Sequence, residues 1–165
     1  MRLVENTKIV MRDAMVASAT LQTATKSVNM AKYNRCRITL FVTTNGSGAD
    51  GTVTLKQGSS TTASTALAFR EYWKSDDDSG NTAGDDDLTR VSASTLTTAG
   101  AATATSMYVF EVKVDMLDTD TVGSENRYIR MDVTAISNAT HTVIVYELYE
   151  PRYALGAVDM PSVNT

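Results

Sequence analysis

The sequence predicts an all-β protein, an antiparallel β-sandwich of jelly-roll type with extended N- and C-terminal arms. Seven segments show the alternation of apolar and polar residues that marks a half-buried strand. The segments between them are rich in Thr, Ser, Gly and Asp and show no helical period. Such connections lack the crossover helices that parallel strands require, so antiparallel pairing is expected. A chain of 165 residues with 42% hydrophobic content is long enough to bury one core.

The pattern along the chain predicts one domain between two arms. Residues 1–27 are weakly patterned and predict an N-terminal arm with one short strand, and a helix over residues 8–17 is the alternative for part of it. Residues 28–153 contain the clear strand pattern and form the predicted sandwich. Residues 154–165 contain a Gly and a Pro without alternation, which predicts an extended C-terminal tail.

The strand pattern begins at Arg35. The segment RCRITLFVT places four apolar side chains on one face, those of Cys36, Ile38, Leu40 and Val42. The Gly-rich stretch that follows provides turn chemistry, and the next strand, TVTLKQ, directs Val53 and Leu55 inward. Two strands joined in this way are expected to form a hairpin.

Five further segments continue the pattern: TALAFREYW, LTRVSASTL, MYVFEVKVDM, YIRMDVTAI and THTVIVYELY. In the third, the inward face is expected to run on through Val114 and Met116. The last is apolar on both faces, which is typical of a central strand. The predicted core consists of Leu40, Val42, Leu55, Phe69, Trp73, Phe110, Val112, Ile129, Met131, Val133, Val143 and Val145.

The charge balance argues against a nucleic-acid partner. The net charge is −4, and nucleic-acid binding depends largely on Lys and Arg that neutralise phosphates. The nearest approach to a basic patch is Lys32, Arg35 and Arg37, which we interpret as solvated charge at the edge of a sheet. No apolar run approaches the roughly 20 residues that span a bilayer, and MRLVENTKIV does not resemble a secretory signal. We therefore expect no membrane partner and synthesis in a cytoplasm.

An acidic segment at residues 76–87 is the first candidate for chemistry. Its Asp residues are Asp76, Asp77, Asp78, Asp85, Asp86 and Asp87. Carboxylates from flexible loops are ligands that calcium accepts, but the spacing does not match a calcium-binding EF-hand loop. The segment is interpreted as an exposed, solvated loop, and no metal site or cofactor is predicted.

The single His and single Cys are the other candidates. His141 has no nucleophile motif near it in the sequence, and Cys36 falls on an apolar strand face, where a free Cys acts as a small hydrophobe. A catalytic Cys–His pair is the alternative. No catalytic residue is predicted, and the chain is expected not to be an enzyme. Asn138 begins a glycosylation motif, which has no meaning without a secretory route.

Two adjacent aromatic residues allow a further alternative. If Tyr72 and Trp73 were exposed, they could stack on a sugar ring, as in a carbohydrate-binding module. The preferred interpretation is that Trp73 anchors the core and Tyr72 belongs to a cross-strand pair.

Four segments carry a resemblance to a known family: KYNRCRITLFVTTNGSGADGTVTLKQ, REYWKSDDDSG, YVFEVKVDMLD and NRYIRMDVTAISNATHTVIVYELYEPRY. Together, over residues 28–153, they resemble small virion proteins of tailed bacteriophages. The last of these segments contains the Arg-Tyr-Ile-Arg element at 127–130 and the closing Pro-Arg-Tyr at 151–153.

The resemblance implies a non-enzymatic structural component of the phage particle. The preferred assignment is a capsid decoration (cement) protein on the capsid surface, with the major capsid protein as partner. A homo-oligomer, trimer or dimer, is expected because capsids have local symmetry axes. The alternatives are a head–tail connector or tail component, and a carbohydrate- or receptor-binding β-sandwich module.

Overall fold

The computed structural model describes residues 7–12, 27–44, 51–77, 88–98, 104–120, 124–134 and 139–152. Within these ranges the chain forms thirteen strands and one short 3-10 helix, Val114–Met116. None of the described segments is a helix of membrane-spanning length and hydropathy. The strands are β1 Lys8–Arg12, β2 Val28–Asn29, β3 Tyr33–Thr44, β4 Gly51–Gly58, β5 Thr65–Leu67, β6 Tyr72–Asp77, β7 Thr89–Val91, β8 Leu96–Thr98, β9 Ala104–Lys113, β10 Thr119–Asp120, β11 Ser124–Glu125, β12 Tyr128–Val133 and β13 Ala139–Pro151.

The strands form two main antiparallel sheets. The six-stranded sheet has the order β1-β13-β3-β9-β6-β7. The five-stranded sheet has the order β2-β12-β4-β5, and β8 also pairs with β4. Strands β10 and β11 form a separate two-stranded ribbon. The long strands β3 and β13 pair along their length, from Tyr33 opposite Pro151 to Thr44 opposite Ala139. The two middle strands of the six-stranded sheet are β3 and β9.

The two sheets pack face to face over one hydrophobic core. Inward-facing residues of both sheets belong to a single buried cluster, and the backbone N–H of Met131 donates to the Tyr146 hydroxyl at 2.9 Å across the sandwich. The predicted antiparallel β-sandwich is therefore confirmed. Nine predicted core residues are buried: Leu40, Val42, Leu55, Phe69, Phe110, Val112, Ile129, Met131 and Val133.

The register of β13 differs from the prediction. Val143 and Val145 are only half-buried and face away from the core, whereas Ile144, Tyr146 and Leu148 are buried. Alternation cannot choose the inward face of a strand that is apolar on both faces. The larger side chains face inward here, and Tyr146 also accepts the hydrogen bond from Met131.

The segment TALAFREYW is two strands rather than one. Strand β5 belongs to the five-stranded sheet and β6 to the six-stranded sheet, so residues 68–71 cross between the sheets and the alternation restarts. Consequently Trp73 is half-buried, which corrects its predicted place in the core, whereas Tyr72 is buried and forms the expected cross-strand pair, with Val91. Tyr72 joins Phe69 and Phe110 in an aromatic cluster, in which the Phe69 and Phe110 ring centroids lie 5.1 Å apart at 81°.

The hairpin predicted from the Gly-rich stretch is also wrong. Strand β3 lies in the six-stranded sheet and β4 in the five-stranded sheet, so residues 45–50 connect the two layers. The segment LTRVSASTL divides in the same way into β7 and β8. Turn residues show where the chain reverses, but in a sandwich the next strand can pair in either sheet.

The structure also refines the prediction at the end of β9 and in the N-terminal segment. The inward face of β9 ends at Val112, because Val114 and Met116 lie in the 3-10 helix and are half-buried. The short strand expected within residues 1–27 is present as β1, which pairs with β13 and buries Val10. The alternative helix over residues 8–17 is excluded for residues 8–12.

Some predictions fall outside the described residues. Asp76 and Asp77 end β6 and pair with β9, so the strand continues two residues into the segment predicted as an acidic loop. The rest of that segment, Asn138 and the tail 154–165 lie outside the described ranges.

Candidate functional site: the outer face of the six-stranded sheet

The side of the six-stranded sheet that faces away from the core is unusually apolar. In the register, Phe41 of β3 lies opposite Val143 of β13 and Met107 of β9, and the next outward row joins Val145, Thr39, Val109 and Trp73. We call the apolar members of these rows the apolar stripe: Phe41, Met107, Val109, Val143, Val145 and Trp73. Phe41 is 39% exposed, and the other five side chains are half-buried.

The apolar stripe departs from the usual chemistry of a solvated sheet face. An antiparallel sheet with one face in water normally presents polar residues there, as β4 does with Thr52 and Thr54. The stripe instead crosses four neighbouring strands, β13, β3, β9 and β6. An apolar group of this kind on a solvated sheet face is a candidate interaction surface.

A charged band lies beside the apolar stripe on the same face. Arg35 donates from Nη1 to Glu111 Oε1 at 2.7 Å and from Nε to Glu150 Oε2 at 3.0 Å. Arg37 forms an ion pair with Glu147 at 3.2 Å and lies over the Tyr149 ring, 5.8 Å from its centroid.

The charged band corrects the interpretation of Arg35 and Arg37 as edge charges. Their strand, β3, has β13 on one side and β9 on the other, so it is not an edge of the sheet. Both arginines act across strands, where opposite charges on neighbouring strands attract. The band thus joins three strands rather than protecting a free edge.

The electrostatics of the band follow from these pairings. Burial lowers the pKa of Arg35, but the charges of Glu150 and Glu111 and the hydrogen bonds that Arg35 donates to Tyr149 and Glu111 outweigh it, so the pKa is raised. The pKa of Tyr149 is raised by burial and by the charge of Glu111, although Arg35 and Arg37 oppose the shift. Glu150 adopts φ 54°, a left-handed conformation that is uncommon for a residue other than Gly.

A cavity of about 820 Å³ opens where the charged band meets Trp73. Around it lie Arg35, Ala68, Phe69, Arg70, Glu71, Trp73, Glu111, Lys113, Asp115 and Met116. We call it the Trp73 cavity. Residues 68–71 reach it because the chain crosses there from one sheet to the other.

The structure separates the two candidate catalytic residues. Cys36 is fully buried opposite Leu148, whereas His141 is exposed opposite Thr43. The two positions are seven residues apart along the paired strands, a distance of about 23 Å at ~3.3 Å per residue, so they do not form a Cys–His pair. Burial raises the pKa of the Cys36 thiol. In the described ranges, no three His, Cys, Asp or Glu residues are grouped as metal ligands.

Sequence reasoning missed both the apolar stripe and the Trp73 cavity. The apolar residues on both faces of β13 predict a central strand, but they also indicate an apolar outer face, which the sequence analysis does not infer. The same signal is present in β9, where Met107 and Val109 alternate with buried residues. Nothing in the local sequence around Trp73 shows that Arg35 and Glu111 come from other strands to the same cavity.

Comparisons with known proteins give little further information. No protein-family model matches the chain. No curated protein matches it. Among solved structures, the crystal structure of the infectious bursal disease virus VP2 subviral particle matches with 14% identity and a TM-score of 0.23, over 87% of this chain and 33% of that one. The chain thus spans about a third of that chain's length. A TM-score this low establishes neither a common fold nor a common function.

Proposed function

We propose that the chain is a non-enzymatic structural protein of a virus particle, and specifically a capsid decoration protein of a tailed bacteriophage. The observation that carries the proposal is the apolar stripe on the outer face of the six-stranded sheet. A sheet whose second face is also apolar is stabilised when another protein surface covers it. The resemblance of residues 28–153 to small phage virion proteins gives the kind of partner, the major capsid protein.

The layout of the outer face supports this proposal. Interfaces combine an apolar centre with a polar rim. Here the apolar stripe, about 14 Å wide at ~4.8 Å per strand, adjoins the charged band of Arg35, Arg37, Glu111 and Glu147. The stripe would supply the buried centre of the contact, and the band would fix its orientation.

Attachment of several copies to one capsid lattice increases the overall affinity with which such a surface binds. A homo-oligomer, trimer or dimer, presents several copies of the stripe to equivalent sites on one capsid. Once one copy binds, the others bind at a high effective concentration. A modest stripe on each subunit can therefore bridge and stabilise neighbouring capsomers.

The test is the number of copies in purified particles, measured by quantitative mass spectrometry of virions of the phage that encodes the chain. A decoration protein is expected in hundreds of copies. A count of about six to twelve would instead indicate a head–tail connector or a tail component, because those parts form single rings. Absence from purified virions would refute the structural role altogether.

A further inference from the structure

We propose that the Trp73 cavity is a binding site for a neutral saccharide. The cavity lies at the end of the apolar stripe and shares Trp73 with it, and it shares Arg35 and Glu111 with the charged band, so a bound saccharide and the capsid would contact overlapping surfaces. Its walls combine one indole, six charged side chains and the backbone of a crossing segment. The inference does not depend on the proposed virion role.

Trp73 gives the cavity an apolar wall that a ligand can reach. It lies opposite Val109 on β9 and Arg90 on β7, and its side chain is only half-buried. A flat, partly exposed indole at the wall of a cavity offers contact area for the C–H face of a sugar ring. The buried neighbour Phe69 supports the floor.

Two ion pairs place polar groups on either side of Trp73. Arg35 binds Glu111 at 2.7 Å on the β3–β9 side, and Arg90 binds Glu71 on the β7 side. A carboxylate accepts hydrogen bonds and a guanidinium donates them, whereas a sugar hydroxyl does both. Because each pair already holds its members in place, less conformational entropy is lost when a ligand binds.

The charges around the cavity select a neutral ligand. Three cationic side chains, Arg35, Arg70 and Lys113, are matched by three carboxylates. The carboxylates are those of Glu71, Glu111 and Asp115. A site without net charge, in a chain of net charge −4, does not concentrate phosphates or other anions. The charged walls also disfavour a purely apolar ligand, and the size falls within the usual range of ~300–1,000 Å³ for ligand sites.

Tryptophan fluorescence reports on this site directly, because Trp73 is the only tryptophan in the chain. The full chain would be titrated with maltohexaose, cellohexaose, hexa-N-acetylchitohexaose and mannohexaose while its fluorescence is recorded. We expect at least one neutral hexasaccharide to give a saturable change with a dissociation constant below about 1 mM. A saturable response to none of the four up to about 10 mM would overturn the proposal, and so would binding to oligogalacturonate alone.

Calorimetry of variants then locates the binding. Trp73→Ala is expected to weaken binding of the responding hexasaccharide at least about tenfold, because the indole is the main contact. Glu111→Gln, which keeps the shape but removes an acceptor charge, is expected to weaken it about threefold to tenfold. Phe41→Ala is the matched control, since it removes an exposed aromatic from the same sheet face outside the cavity. Equal losses in Trp73→Ala and Phe41→Ala, or wild-type binding by folded Trp73→Ala, would contradict the assignment.

Discussion

The two faces of the six-stranded sheet both carry apolar side chains, but they differ in how many they carry and in what covers them. On the inner face, Ile38, Leu40 and Phe110 pack against the second sheet and are almost fully buried. On the outer face, Phe41, Val109 and Val143 lie on the same strands and remain half-buried or exposed. Strands β3, β9 and β13 therefore carry apolar side chains on both sides, although only one side faces the core of the subunit.

This difference separates residues that fold the chain from residues that are available for binding. The inner face gains its stabilisation within the subunit, because each apolar group leaves water when the sheets pack. The outer face gains much less until another surface covers it. Substitutions of the same chemical type on the two faces should therefore have different consequences, and the following predictions use that contrast.

The largest contrast is expected between two phenylalanines. Phe110→Ala should lower the free energy of unfolding by about 3–5 kcal/mol, because it removes a buried ring that packs at 5.1 Å from Phe69. Phe41→Ala, on the outer face, should cost less than about 1 kcal/mol. Urea unfolding of both variants measures the two values. Similar losses would show that the outer face is as important to the subunit's own stability as the core.

The next prediction concerns the hydrogen bond across the sandwich. Tyr146→Phe leaves the backbone N–H of Met131 without its 2.9 Å acceptor in the core, which should cost about 1–3 kcal/mol. The comparison variant is Tyr149→Phe, from a half-buried position three residues along on the outer face. Its effect on the unfolding free energy should be smaller. A greater loss in Tyr149→Phe would mean that the outer charged band, rather than the core, holds β13 in place.

A pH dependence should arise from the inner face. Burial raises the pKa of the Cys36 thiol, so the unfolded chain loses this proton first as the pH rises. The contribution of this thiol to the free energy of unfolding is complete below the pKa of the unfolded thiol, about 8.5. Above that pKa the contribution is lost, so the free energy of unfolding should fall by about 1 kcal/mol between about pH 8 and pH 9.5. Unfolding free energies of wild type and Cys36→Ala across this range measure the contribution. The variant should decline less steeply, and parallel declines would contradict the assignment.

The smallest effect is expected in the charged band. Glu147→Gln removes the partner of Arg37, but the Arg37 side chain is 52% exposed, so solvent screens the pair. The loss should be about 0–1 kcal/mol and should disappear at about 1 M salt. Thermal unfolding at low and high salt measures it. A loss that persists at high salt would show that Glu147 acts through packing rather than through charge.

The sequence predicted the sandwich well because alternation within one strand is a local signal. Cys36, Ile38, Leu40 and Val42 face inward as expected, since their spacing alone defines the face. The alternation of apolar and polar residues did not predict the inward face of a strand that is apolar on both faces. Strand β13 is apolar on both faces, and only the tertiary packing of Tyr146 under Met131 decides that Val143 and Val145 face outward.

Local sequence patterns could not predict where the chain crosses between the sheets, and they could not predict the candidate sites. Whether β4 pairs with β3 or joins the other sheet depends on its contacts with β12, which is distant in sequence, as well as with the nearby β5. The Trp73 cavity likewise needs Arg35 and Glu111 from separate strands. The charge pattern identified Arg35 and Arg37 as notable, but their partners Glu111, Glu147 and Glu150 become visible only when β3 is placed between β9 and β13.

The most direct test places one charge in the apolar stripe and one on the opposite side of the sandwich. Virions would be grown with either Phe41→Asp or Thr52→Asp as the only copy of the chain. Quantitative mass spectrometry would count the copies per purified particle, with circular dichroism to verify that each variant folds. Thr52 is exposed on the five-stranded sheet, so Thr52→Asp should be incorporated at nearly the wild-type number. Phe41→Asp should fall at least about tenfold, because it buries a charge in the capsid contact. Incorporation of folded Phe41→Asp at the wild-type number would show that the apolar stripe is not the surface that binds the particle.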